Sequence, residues 1–311
     1  MGSGSAIRQH ERRFSQREPA WSGEKEECIF DEMPELVKVF GGYEMYKSKD
    51  GGYELAKGDL AVGTFSDVSI EKDRVVFPLS HGMLLEVSER GRREILSPAK
   101  ALLCGLIASD GGNHFYWYFD QSRGRYYGQY KTYLNSKDKE PIGLFDSLSK
   151  EVYNKTSHHY FEADGMIRAM INDKGIFYDL NDIGIKTGPY RFHVPIEHLD
   201  EDGLRAYLKG FFSGDGNVSK TGETYMIRVY SKYRDCLEEL RQAFMDLGFH
   251  PHEIQEKERQ RVRRGRIEKW TDRWFTLPEE DHLKFIEEIG TVRLEHLTIF
   301  EAIKKKKELS L

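Results

Sequence analysis

The chain has 311 residues, of which 32% are charged, and its formal net charge is −5 at pH 7. A mean hydropathy of −0.65, with no apolar run near the ~20 residues that span a bilayer, excludes a membrane protein. The three cysteines, Cys28, Cys104 and Cys236, have neither the spacing of a metal site nor that of a disulfide framework. We therefore expect reduced thiols and an intracellular, cytoplasmic protein.

The first 97 residues divide into a charged leader and a β-rich stretch. Residues 1–5 read MGSGS and resemble an expression tag, and residues 1–27 as a whole show no hydrophobic pattern and are predicted to be disordered. Residues 28–97 contain short strand-like runs separated by turns, most clearly at 75–79 and 83–87. This pattern predicts a small β-rich N-terminal module.

Two nine-residue segments then repeat each other, LCGLIASDG at 103–111 and LKGFFSGDG at 208–216. Each has small residues four positions apart: Gly105 and Ser109 in the first, Gly210 and Gly214 in the second. Small residues at this spacing let two helices pack backbone to backbone. The glycine after each aspartate predicts a left-handed helix end. Helices packed in this way would bring Asp110 and Asp215 to one point.

The segments that follow the two motifs also run in parallel. Each half reads as a motif helix, two strands, a Ser-Lys break, a helix, two more strands and a last helix. Asp110 and Asp215 are 105 residues apart (215 − 110), a suitable size for one subdomain. We predict an α+β fold with a pseudo-twofold duplicated αββαββα unit, with subdomains at 98–199 and 200–311.

The two motifs resemble those of the LAGLIDADG homing endonucleases in their single-chain, two-motif form. The first copy matches the family consensus at the leucine, the glycine, the Leu-Ile pair and the final Asp-Gly. It departs from that consensus at Cys104, Ala108 and Ser109, none of which is the family's metal-binding aspartate. The second copy has Phe-Phe in place of Leu-Ile and looks like second motifs of archaeal and intein-borne members. The resemblance covers about residues 98–303.

This resemblance implies a site-specific, double-strand DNA endonuclease that cuts across the minor groove and leaves short 3′ overhangs. It implies a monomer with a long, imperfectly palindromic DNA target, encoded in an archaeal or organellar intron or intein. The expected cofactor is Mg²⁺, with Mn²⁺ or Ca²⁺ able to replace it in binding. The expected metal site consists of Asp110, Asp215, Ser109 and Gly214. Lys137 and Lys232, in the two Ser-Lys breaks, would stabilise negative charge at the reacting phosphate or tune the attacking water.

The expected DNA-binding surface is a saddle formed by two antiparallel sheets. Residues 257–273 hold eight Lys or Arg against three acids, and the side chains at alternate positions share one face of a strand. Such a hairpin fits the major groove; a hairpin whose charges merely keep an edge soluble is the alternative. The candidates here are Gln255, Lys257, Arg259, Arg261, Arg263, Arg266, Lys269 and Arg273. Shorter alternating sets are Arg125, Tyr127, Gln129 and Lys131 in the first half, and Arg228 and Tyr230 in the second.

Two other functions are compatible with this pattern. An RNA maturase would keep the basic saddle without needing both acids. A binding protein that has lost catalysis, such as a transcriptional regulator, has no reason to retain two converging aspartates. The pair Asp110 and Asp215 therefore favours the endonuclease. The N-terminal module could extend the DNA footprint or be the remnant of a protein-splicing domain.

Overall fold

The computed structural model describes residues 35–40, 42–48, 51–57, 60–71, 73–185, 192–263 and 266–308. The predicted leader, residues 1–27, lies outside the described residues. The described chain consists of a β-rich N-terminal module followed by two αββαββα units, which confirms the predicted fold class. Within the described residues, no helix has the length and apolarity needed to cross a membrane.

The N-terminal module consists of two four-stranded antiparallel sheets. The strands of the first are β1 (Glu35–Phe40), β2 (Tyr43–Lys47), β3 (Tyr53–Lys57) and β4 (Leu60–Phe65). Those of the second are β5 (Ser69–Ile70), β6 (Arg74–Pro78), β7 (Met83–Ser88) and β8 (Gly91–Leu96). Side chains from both sheets, among them Met45, Leu55, Phe77 and Val87, bury one shared apolar core. The two sheets therefore stabilise each other.

The two following units have the same order of elements and the same strand order. The first contains α1 (Pro98–Asp110), β9 (Gly111–Asp120), β10 (Arg125–Ser136), α2 (Lys139–Tyr153), β11 (His158–Phe161), β12 (Ile167–Ile171) and α3 (Lys174–Asp182). The second contains α4 (Glu201–Asp215), β13 (Gly216–Thr221), β14 (Thr224–Tyr230), α5 (Arg234–Asp246), β15 (Gln255–Arg263), β16 (Arg266–Leu277) and α6 (His282–Glu288), and α7 (Leu294–Glu308) follows it. The sheets run β11-β12-β10-β9 and β15-β16-β14-β13, so the duplication extends to the strand pairing.

The motif helices α1 and α4 pack against each other along a seam of small residues. A Cβ atom on Gly210 would lie 2.3 Å from the carbonyl oxygen of Leu102, and one on Gly214 would lie 2.2 Å from the hydroxyl oxygen of Ser109. Real Cβ contacts are never this short, so only glycine permits this approach. Large side chains such as Phe145, Phe211 and Phe244 then fill one continuous core around the helix pair.

Both motif helices begin at a side-chain cap. The hydroxyl of Ser97 accepts the amide N–H of Lys100, and Pro98 occupies the first helical position of α1. The carboxylate of Asp200 accepts the amide N–H of Gly203 at 2.8 Å. Each cap satisfies an amide group at the start of its helix. The opposite ends of the two helices carry Asp110 and Asp215.

The helix ends differ from the prediction. Gly111 and Gly216 have φ values of −109° and −86° and are extended, so the predicted left-handed end is wrong. Each helix passes directly into a strand, β9 or β13. Glycine is needed there for space: a Cβ atom on Gly111 would lie 2.5 Å from the carbonyl oxygen of Tyr133, and one on Gly216 would lie 2.2 Å from that of Phe212.

The N-terminal module contacts the beginnings of the motif helices. Arg74 on β6 lies 2.9 Å from the carboxylate of Asp200, the cap of α4, and the same distance from Glu86 on β7. The amide of Ser97, the cap of α1, donates to the carbonyl oxygen of Gly82 at 2.7 Å. At 1.5 Å per residue, α4 separates this contact from Asp215 by about 20 Å. The module therefore lies at the end of the helix pair away from the aspartates.

Candidate active site and DNA-binding surface

Asp110 and Asp215 are the last residues of the two packed motif helices. A Cβ atom on Gly214, the neighbour of Asp215, would lie 3.1 Å from Oδ2 of Asp110, so the Asp110 carboxylate lies against the end of α4. Both aspartates line one cavity of about 290 Å³. Its other lining residues include Ser109, Asn113, His114, Ser231, Lys232 and Tyr233.

The pKa of both carboxyl groups is raised. Burial, followed by the negative charge of Asp110, raises the pKa of Asp215 to about 7. The Asp110 residue is exposed on one side, but desolvation of its carboxylate by the surrounding protein atoms raises its pKa. The positive charge of Arg293 opposes that rise, and the negative charge of Asp138 adds to it. The C-terminal ends of two helices add further negative potential here. The cavity therefore favours a proton or a cation.

The donor set fits a divalent cation of the Mg²⁺ or Ca²⁺ kind, which prefers carboxylate and carbonyl oxygens. Within the described residues, no group of three or more His, Cys, Asp or Glu side chains is arranged to hold a metal ion, so backbone, water or a bound phosphate would supply the remaining ligands. Of the two other predicted ligands, Ser109 donates its hydroxyl to the carbonyl of Leu106 at 3.0 Å. Gly214 packs against that hydroxyl. Their backbone carbonyls remain the candidate donors.

The two Ser-Lys breaks form matching turns. The buried hydroxyl of Ser136 accepts the amide N–H of Asp138 at 3.1 Å, and that of Ser231 accepts the amide N–H of Tyr233 at 3.3 Å. Each turn leads from a strand into a helix. Lys232 lines the cavity around the aspartates, whereas Lys137 is exposed and does not line it. The structure therefore brings only one of the two predicted lysines to the cavity wall.

The open face of the first sheet carries the four residues proposed from alternation. On β10 the buried side chains of Thr132 and Leu134 point toward the helices, so the intervening positions point to the opposite face. Arg125, Tyr127, Gln129 and Lys131 all occupy that open face. The register adds Tyr116 and Tyr118 of β9, which pair with Gln129 and Tyr127.

The sequence analysis missed the aromatic character of this open face. Cationic groups stack on tyrosine rings at three places: Arg125 over Tyr127 at 4.5 Å, Lys131 over Tyr116 at 4.7 Å and Arg168 over Tyr133 at 5.2 Å. Such pairs are attractive and hold the cations in place. The tyrosines at 116 and 118 alternate in the sequence, and that signal could have identified them.

The second sheet presents its basic side chains on the corresponding face. Ile227 and Val229 of β14 are buried, so Arg228 and Tyr230 point the other way. Tyr230 pairs with Trp274, and Trp274 pairs with Gln255, which places Gln255, Lys257 and Arg259 on the same face. The indole of Trp270, also on this face, was not among the candidates; its Nε1 donates to Asp272 at 2.8 Å.

Two of the hairpin candidates face the helices instead. Lys269 pairs with Gln260, and Arg273 pairs with Glu256, so both lie on the opposite face from Lys257. Strand register therefore separates them from the candidates at Gln255, Lys257 and Arg259, and a role in DNA binding stays a prediction for both groups. Arg273 is engaged within the protein: its Nη1 donates to the carbonyl oxygen of Lys232 at 2.7 Å. The side chains of Arg261, Arg263 and Arg266 lie outside the described residues.

A sequence profile described as the LAGLIDADG-like domain matches residues 202–290, which run from the start of α4 to the end of α6. This stretch of the chain is similar to a LAGLIDADG-like domain. The match confirms the predicted resemblance, and the first unit repeats the same elements in the same strand order.

Several solved structures are similar to this chain. I-DmoI in complex with DNA and Mn gives a TM-score of 0.43 at 19% identity, covering 63% of this chain and 98% of I-DmoI. The I-LtrWI LAGLIDADG homing endonuclease bound to target DNA gives 0.42 at 11% identity, covering 68% and 91%. The N-terminal LAGLIDADG domain of DUF199/WhiA gives 0.39 at 15% identity, covering 64% and 84%.

Curated relatives match only a short part of the chain. Proteins named serine-protein kinase RsbW from Bacillus cereus (strain ATCC 10987 / NRS 248) and Bacillus anthracis are 34% identical over 73 residues. The match covers 20% of this chain and 46% of each relative, so the chain spans about half the length of the curated relatives it matches. Kinase activity is a property that this name gives to the Bacillus proteins.

Proposed function

We propose that this LAGLIDADG chain is a site-specific DNA endonuclease that hydrolyses both strands of a duplex across the minor groove and leaves short 3′ overhangs. The meeting of Asp110 and Asp215 at the ends of two closely packed helices carries the proposal. The cavity that both acids line, beside two sheets with basic and aromatic open faces, supports it. A protein that only binds nucleic acid gains nothing from a pair of carboxylates placed so that burial, and then the charge of Asp110, raise the pKa of Asp215.

The two aspartates would hold the divalent cation, with Mg²⁺ as the expected ion and Mn²⁺ or Ca²⁺ able to replace it in binding. With the cation bound, the site would lower the pKa of an attacking water and stabilise the departing 3′-oxygen. By binding this cation, Asp110 and Asp215 would position the reacting phosphates. Lys232 at the cavity wall, and Lys137 in the matching turn, would stabilise the negative charge that develops on the phosphate.

The open faces of the two sheets would hold the DNA on either side of the cavity. Lys131 and Arg168, stacked on tyrosines, would contact one half of the target, and Lys257 and Arg228 the other. Because the two halves share a fold but differ in these side chains, the target would be long and only imperfectly palindromic. Both acids belong to one chain, so a monomer would suffice for cutting both strands.

The test is cleavage of a supercoiled plasmid library that carries random genomic fragments, incubated with the purified chain and Mg²⁺ or with EDTA. We expect linear products from a restricted set of inserts in Mg²⁺, with mapped ends showing short 3′ overhangs, and intact plasmid in EDTA. Retarded but uncut DNA in both Mg²⁺ and Mn²⁺ would contradict the proposal and favour a non-cleaving binder. Preferential binding of structured intron RNA without DNA cleavage would favour a maturase.

A further inference from the structure

Each Ser-Lys turn is held in place by an arginine from another part of the fold. In the first unit, Nε of Arg293 lies 3.0 Å from Oδ2 of Asp138, the residue after Lys137. In the second unit, Nη1 of Arg273 donates to the backbone carbonyl of Lys232 at 2.7 Å. In the first turn, Lys137 is the neighbour of the contacting residue Asp138. In the second turn, Lys232 makes the contact through its own backbone carbonyl.

The two arginines come from different places. Arg273 belongs to β16 and so to the same unit as Lys232. Arg293 lies between α6 and α7, after the second unit, and reaches across to the first. At the position equivalent to Asp138 the second turn has Tyr233, which offers no carboxylate. Each brace is therefore specific to one half of the molecule.

Both arginines are themselves fixed and largely covered. Arg293 pairs with Glu295 at 2.6 Å, and its side chain is 23% exposed. Arg273 pairs with Glu256 at 3.1 Å, and its side chain is 26% exposed. A planar guanidinium group that contacts two partners at once loses little further freedom, which suits it for fixing a neighbouring segment.

We propose that Arg293 and Arg273 are positioning residues, each of which holds the lysine turn that serves cleavage of one DNA strand. This inference rests on the proposed endonuclease function. A displacement of about 1 Å at a reacting centre costs up to about 100-fold in rate, so loss of a brace should slow the strand served by that turn. The other strand, served by the other turn, keeps its brace and its rate.

The experiment uses a target that the wild-type chain cuts, labelled separately on each strand, in single-turnover reactions with Mg²⁺. We expect Arg293→Gln to slow one strand about tenfold and Arg273→Gln to slow the other by a similar factor, with nicked plasmid accumulating in both cases. Asp138→Asn should slow the same strand as Arg293→Gln. The double variant Asp138→Asn/Arg293→Gln should slow that strand by much less than the product of the two single effects, because both substitutions remove the same ion pair.

The matched control is Arg205→Gln. Arg205 is 26% exposed, as Arg273 is, and joins α4 to α6 through an ion pair with Glu288 at 3.2 Å, but it lies near the start of α4, away from both turns. It should leave the two strand rates equal. Thermal unfolding of every variant checks folding, and Arg293→Lys and Arg273→Lys, which keep the charge, replace any variant that does not fold.

The inference is overturned if both arginine variants slow the same strand. It is also overturned if either variant slows both strands equally, as a general loss of stability would. Neither result contradicts the proposed endonuclease function. Equal strand rates in Asp138→Asn also overturn it. A wild-type chain that cuts no library insert contradicts the proposed function itself, and the inference falls with it.

Discussion

Gly105 of α1 lies directly against the backbone of Tyr207 in α4: a Cβ atom on Gly105 would be 2.1 Å from the carbonyl oxygen of Tyr207. The same Cβ would be 2.8 Å from the amide nitrogen of Phe211. Both neighbours are backbone atoms, which cannot rotate away as a side chain can. The close approach of α1 and α4 therefore depends on glycine here, and that approach brings Asp110 and Asp215 together.

Replacing Gly105 with alanine should force the helices apart and destabilise the protein by about 3 kcal/mol or more, since overpacking against backbone cannot be relieved locally. Urea unfolding followed by circular dichroism measures the change. Gly143→Ala is the matched control, because Gly143 also lies within a helix and has no atom within 4 Å of an added Cβ. That control should be neutral or stabilise by about 0.5–1 kcal/mol. Equal effects of the two variants would contradict the described seam.

The raised pKa of Asp215 predicts a pH dependence of stability. A carboxyl group whose pKa is about 7 when folded and about 4 when unfolded binds its proton more tightly in the folded chain. Stability is therefore lost as pH rises from about 4 to about 7. Asp215→Asn, which stays neutral, should have a higher Tm than wild type at pH 8, by a few degrees, and the difference should vanish near pH 4. A Tm difference that is constant across this range would contradict the burial and charge described for Asp215.

The same pair predicts stabilisation by divalent cations. Ca²⁺, used without DNA, should raise the Tm of the wild-type chain at pH 8 more than at pH 5, because protons compete for Asp215 at low pH. Asp110→Asn and Asp215→Asn should each remove most of the shift. Asp182→Asn, at the exposed end of α3, is the control and should keep it. A shift that survives both motif variants would place the cation elsewhere.

The register of β15 and β16 predicts that only one face of the basic hairpin binds DNA. Lys257→Ala should weaken binding and reduce the slope of log affinity against log salt by about 1, since one phosphate contact is lost. Lys269→Ala removes the same charge from the opposite face of the same hairpin and should leave the slope unchanged. Fluorescence anisotropy with a labelled duplex at several salt concentrations measures both. Equal slopes for the two variants would contradict the assignment of faces.

The helix seam and the alternating faces could be predicted because each depends on local spacing. Small residues four positions apart lie on one face of a helix and allow close packing there, so Gly210 and Gly214 indicated the face of α4 that forms the seam. Alternation along β10 assigned Lys131 to an open face, since a strand has only two faces. Because an Asp-Gly pair ends each motif, close packing of the two motif helices indicated that the two acids would meet.

The remaining features depend on contacts that sequence spacing does not encode. Gly111 is extended because it begins β9 and pairs with Leu134 of β10, and the carbonyl of Tyr133 occupies the space where a side chain would lie. Arg273 lies on the opposite face from Lys257 because the hairpin register pairs it with Glu256. Arg293 and Asp138 are 155 residues apart (293 − 138), and only the folded chain brings them to 3.0 Å.

The most direct test of the paired-acid site compares DNA cleavage with DNA binding for the wild-type chain, Asp110→Asn and Asp215→Asn on one selected target. We predict that each variant binds the duplex with near wild-type affinity in Ca²⁺ but cuts at least about 100-fold more slowly in Mg²⁺. Cleavage by either variant at the wild-type rate would contradict the role of Asp110 and Asp215 as the shared catalytic site.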